Sequence, residues 1–285
     1  MFSCKDIATM RLVTFVNLLP ALSAAALLLS ASPATADVQT FATFTSISPI
    51  KNIRFVNSGT SPSRIEDAQI YTTSTATADS AGATKVYFSF LQTGLSTFIN
   101  NVVADYTLTA AVAKGDTASV AVGYVIQPIV TGTMTFKSTT PITLDSPYFA
   151  PTTFAAGANL LTVTFSTGMI GSKNGSTSTL SGSTEGGSVV EFTSDFLDFD
   201  EVSNADLSTT FSAMSTLLQI ASTSASGNNS VSSFRATAGG QFSSDPAPMV
   251  VGIVPEPVSW MMMITGFAML GIAIRKRARM VQLAL

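Results

Sequence analysis

Between Asp37 and about Gln219 the chain alternates short apolar stretches with segments rich in Thr, Ser and Gly. Lys85 to Leu91 reads as a strand. Val102 to Ala113 partly alternates, with Tyr106 and Leu108 on one phase. Ser119 to Ile126 and Ile129 to Phe136 read as two strands joined around Gln127 and Pro128. Leu160 to Phe165 alternates, and Val189 to Phe196 does so in part. These runs are rich in β-branched and aromatic residues, and Gly, Pro, Asn and Asp separate them. Short strands at regular spacing, with no helical pattern between them, predict an all-β, β-sandwich-like body. One face of each strand is then apolar, and the other presents Thr and Ser to water.

Leu207, Phe211, Met214 and Leu218 recur near helical spacing, but Ser208 to Ser215 is crowded with poor helix formers, so a strand is expected there. Ser166 to Ser188 has little apolar content and is expected to be a long loop, with Gly171 and Gly182 supplying flexibility. Ala221 to Ser230 reads the same way. Val231 to Phe242 is expected to be a last strand, with Phe234 and Phe242 reaching the core. Beyond it, Pro246, Pro248, Pro255 and Pro257 predict an extended tether. No internal repeat and no regular Thr-x-Thr face is apparent.

The two ends have a different pattern. Lys5 and Arg11 precede an almost uncharged run, Leu12 to Leu29, and Ala34-Thr35-Ala36 then offers a small-x-small cleavage site before Asp37. This is the pattern of a secretory signal peptide, cut after Ala36 by signal peptidase. Pro20, Ser23 and Ser30 interrupt the run and argue against a spanning anchor. At the other end, Val258 to Ile274 is 17 residues without a charge. As a helix it would span about 26 Å, the short end of the transmembrane range. Trp260 sits where an interfacial aromatic belongs, and Arg275, Lys276, Arg277 and Arg279 form a stop-transfer cluster that stays cytoplasmic. Composition alone fits an ordinary single-span anchor equally well.

Charge and residue usage then exclude several kinds of chemistry. Charged residues make up 11% of the chain, against about 25–35% for a typical soluble surface. Asp37 to Val254 carries 8 basic and 15 acidic residues, a net charge of −7, which is the wrong sign for nucleic acid. Histidine is absent, which removes His-based zinc sites and Ser-His-Asp triads. The one cysteine, Cys4, lies in the leader, so the mature chain has no internal disulfide. No G-x-S-x-G elbow, P-loop or dinucleotide turn occurs. Carboxylates concentrate at Glu191, Asp195, Asp198, Asp200, Glu201 and Asp206. Asp195, Asp198 and Asp200 are candidate calcium ligands. The missing EF-hand spacing and the intervening Phe196, Leu197 and Phe199 favour a solvated edge or turn instead. Asn174-Gly175-Ser176 and Asn228-Asn229-Ser230 match a short glycosylation pattern. Five tyrosines could stack on sugars, but the single tryptophan, Trp260, lies in the membrane segment.

Pro255, Glu256, Pro257 and Trp260, with the glycine-bearing apolar run and the Arg-rich tail, resemble the PEP-CTERM sorting signal of Gram-negative bacteria, in the subgroup written PEPxxWA. Met261 stands where that pattern usually has Ala. The resemblance covers about 26 residues, 255–280. It implies recognition by an exosortase-type membrane protease, cleavage near Pro255 to Pro257, and transfer to the outer surface or matrix in cells that make exopolysaccharide. The expected organisation is a signal peptide over 1–36, a β-rich body over 37–242, a tether over 243–254 and the sorting signal over 255–280, with its membrane helix at 258–274. The expected function is a non-enzymatic protein of the cell surface or biofilm matrix, with exopolysaccharide as a candidate partner and no required cofactor. Two alternatives stay open: a secreted carbohydrate-active hydrolase with a carboxylate-only site, and a calcium-stabilised adhesin.

Overall fold

Alternation of buried apolar and outward polar positions builds the longer strands of the body. The computed structural model describes residues 38–59, 65–146, 149–200, 202, 204–221 and 229–248. The expected signal peptide, the expected membrane helix at 258–274 and the rest of the expected sorting signal lie outside these residues. The first strands are β1 (Gln39–Ser46), β2 (Ile53–Asn57), β3 (Glu66–Thr72), β4 (Thr84–Phe90), β5 (Val102–Ala113) and β6 (Ser119–Ala121). Next come β7 (Tyr124–Ser138), β8 (Ile142–Ser146), β9 (Phe149–Phe154), β10 (Asn159–Ser172), β11 (Ser178–Ser183) and β12 (Val189–Thr193). The last are β13 (Leu197–Asp198), β14 (Asp206–Ser212), β15 (Ile220–Ala221), β16 (Ser230–Val231), β17 (Phe234–Ser244) and β18 (Ala247–Pro248). No helix occurs among the described residues, so the all-β expectation holds.

The strands do not divide into two separate large sheets. Twelve of them form one antiparallel network. Two routes of paired strands lead from β5 to β17, one through β4 and β1 and the other through β3 and β2. A third runs through β7, β10, β11 and β14. The network therefore closes on itself, which removes most of the free edges an open sheet would leave. The enclosed side is filled by aromatic rings. Tyr106 stacks on Phe136 at 4.8 Å, and Phe44, Phe88 and Phe242 surround that pair. A second cluster joins Phe55, Phe234 and Phe211. Within the described residues the buried side chains are mostly apolar, and Thr and Ser occupy many of the outward strand positions. Near β2 and β17, Arg235 donates to Asp79 at 2.8 Å, and Arg54 also bonds Asp79.

Four local expectations are corrected. The turn between the strands near residue 125 lies at Val122–Gly123, and β7 runs straight through Gln127–Pro128. Pro128 and Ile129 form a bulge opposite Gly168, because Gln127 faces Met169 and Val130 faces Thr167. A bulge is where a strand tolerates a residue without an N–H. The expected loop over 166–188 is instead largely the β10–β11 hairpin. Its glycines are small for packing. A Cβ on Gly182 would lie 2.3 Å from Thr167 Oγ1, and one on Gly171 would lie 2.6 Å from the Thr177 carbonyl oxygen. The segment after Phe242 begins as body rather than tether. β17 runs on to Ser244, Pro246 is buried, and Ala247–Pro248 pair with Leu197–Asp198. Finally, the segment with near-helical spacing is a strand only to Ser212. Ala213 then turns at φ 52°, and Met214 and Leu218 reach the core from irregular chain.

Candidate functional site

The strands β11, β14 and β17 lie side by side and share one register. Ser183 pairs with Asp206 and Asp206 with Ser243; Ser181 pairs with Ser208 and Ser208 with Gln241. Leu207, Phe211 and Phe242, at the alternate positions, are buried in the core. The same two-residue period therefore turns a carboxylate, an amide and several hydroxyls outward on neighbouring strands. These side chains line a groove of about 440 Å³, with Ser188 at its rim and Gly182 and Leu207 completing the lining.

Local bonds hold this surface in place. Thr40 and Ser243 share a hydroxyl–hydroxyl hydrogen bond at 3.1 Å, which carries the polar row across to β1. The Ser244 hydroxyl donates to the Asn204 carbonyl at 2.6 Å, and the Asn204 amide donates to Glu185 at 3.0 Å. The Ala205 N–H donates to Thr184 Oγ1 at 3.0 Å. Asp206 Oδ1 is buried and has no hydrogen-bond partner. A carboxylate oxygen in that state is costly to leave unsatisfied. The groove offers one carboxylate. Cleavage of a glycosidic bond by the common acid–base route takes two.

The candidate carboxylates separate into different roles. Asp195 accepts the Asn159 N–H at 2.7 Å, and Asp198 accepts the Asp200 N–H at 2.9 Å, as residues that shape turns do. Glu191 is exposed on β12. Among the described residues no group of three or more His, Cys, Asp or Glu side chains is placed to hold a metal ion. Glu201 lies outside the described residues. Among the described residues of the acidic cluster, only Asp206 lines the groove. Asn174 sits in the β10–β11 turn at φ 60°, and its side-chain oxygen accepts from Gln219 at 3.0 Å. Ala34, Ala36, Pro255, Glu256, Pro257, Trp260, Arg275, Lys276, Arg277 and Arg279 lie outside the described residues.

Ser181, Gly182, Ser183 and Ser188 were missed because residues 166–188 read as loop. Ser-Gly-Ser at 181–183 and Asp-Leu-Ser at 206–208 carry the period-2 signal only weakly, since glycine and serine add little apolar contrast. A second outward face was also missed. Thr107 and Thr109 on β5, Thr131, Thr133 and Thr135 on β7, and Thr162 and Thr164 on β10 occupy adjacent register positions. Neighbouring columns stand about 4.8 Å apart. Comparison with known proteins finds no matching family model, no matching curated protein and no matching solved structure.

Proposed function

We propose that this chain is a non-enzymatic, exported protein of the cell surface or extracellular matrix, delivered by an exosortase-type sorting system. The observation that carries the reading is the C-terminal order of features: Pro255-Glu256-Pro257, Trp260, an uncharged run of 17 residues and a basic block. The signal-peptide pattern ending at Ala36 supplies the matching route across the membrane. A β body closed on itself, with many Thr and Ser on its outward faces, suits a protein that works outside the cell without disulfides. Exopolysaccharide is its candidate partner.

Mass spectrometry of the mature protein recovered from cells and matrix tests this directly. The expected form begins at Asp37 and ends near Pro255 to Pro257. A mature form that still ends at Leu285 overturns the sorting reading and leaves a plain anchor.

A further inference from the structure

We propose that the groove on β11, β14 and β17 binds a non-anionic sugar unit of a polysaccharide chain; this deepens the matrix reading above and rests on it. The Asp206 carboxylate lines the groove and accepts hydrogen bonds from hydroxyl groups of a ligand. The Ser181, Ser183, Ser208 and Ser243 hydroxyls and the Gln241 amide each can donate and accept, which complements the alternating donors and acceptors of sugar hydroxyls. No Lys or Arg lines the groove, and its one acidic group repels uronate, sulfate and phosphate substituents. A volume of about 440 Å³ lies within the range of about 300–1,000 Å³ common for small-molecule sites. The row from Ser183 through Asp206 and Ser243 to Thr40 crosses four paired strands, so a chain can continue past the central unit.

The test uses the full chain in a non-glycosidic detergent, titrated calorimetrically with cello-oligosaccharides, chitosan oligosaccharides and alginate oligosaccharides. Saturable binding of at least one of the first two, with none of the alginate series, is expected. Asp206→Ala and Gln241→Ala should each weaken it at least tenfold, whereas Thr133→Ala, on β7 away from the groove, should leave it unchanged. Gln241 is exposed, so its variant stays informative if Asp206→Ala fails to fold. No saturable binding of either non-anionic series overturns the proposal. So does equal binding of alginate, or full affinity in Gln241→Ala. Correct processing without sugar binding defeats this inference alone, and sugar binding by a chain that keeps Leu285 defeats the sorting reading alone.

Discussion

Tyr106 stands fully buried among Phe44, Phe88 and Phe136, and its hydroxyl has no partner. Burial pushes its phenol well above the ordinary value of 10.0, because the phenolate would lose its water and gain no donor. Above roughly pH 10 the unfolded chain gives up this proton while the native protein keeps it. The native state then binds more protons, so stability falls as pH rises; below that pH this group contributes no slope. Urea unfolding across alkaline pH should therefore show a decline that is shallower in Tyr106→Phe. The same variant should gain about 1 kcal/mol at neutral pH by deleting an unsatisfied buried hydroxyl. An equally steep decline in both proteins would contradict this account. Tyr106 and Leu108 on one phase were legible from alternation alone. That Tyr106 lacks a hydrogen-bond partner was not, since the surrounding rings come from β1, β4, β7 and β17.

Hairpins follow a similar division. The β6–β7 connection places Val122 and Gly123 at φ 49° and 82°, the two positive values of a type I′ turn. Glycine suits that conformation, whereas a β-branched residue is strained in it. The Val122 side chain is 97% exposed and so has no packing to compensate. Val122→Asn should stabilise the protein by about 1 kcal/mol, read as a higher melting temperature. An unchanged or lower melting temperature would mean that the valine is not strained there. Pro128 was the more visible breaker in the sequence and drew the turn five residues too far along. Only the pairing of β7 with β10, with Gly168 giving room opposite, allows the proline inside a continuous strand. The β10–β11 hairpin was hidden for the converse reason. Its glycines look like loop chemistry until Thr167, Thr177 and Leu218 are seen to fill the space beside them.

For the whole molecule, ring closure makes β5 and β17 the common members of all three pairing routes, and each bonds to three neighbouring strands. Opening either strand disrupts several interfaces at once. Native-state hydrogen exchange should find the slowest amides in Ala104–Ala110 and Ala236–Phe242, close to the free energy of global unfolding. Amides of the β8–β9 pair, which stands outside the ring, should exchange through smaller openings. If β8 and β9 were as protected as β5, the closed network would not be the cooperative unit.

The sequence by itself determined the all-β class, the positions of β4, β5, β6, β7, β12, β14 and β17 and part of β10, and the exclusion of histidine chemistry. Each is a local property: side-chain period or residue type. Tertiary structure alone decided ring closure, the body's extension through Pro248 and the groove. The groove joins residues 181–188, 206–208 and 241–243, which share no local signal. They meet because strand register sets Asp206 between Ser183 and Ser243, and register is fixed by which apolar side chains fill the far side of the sheet.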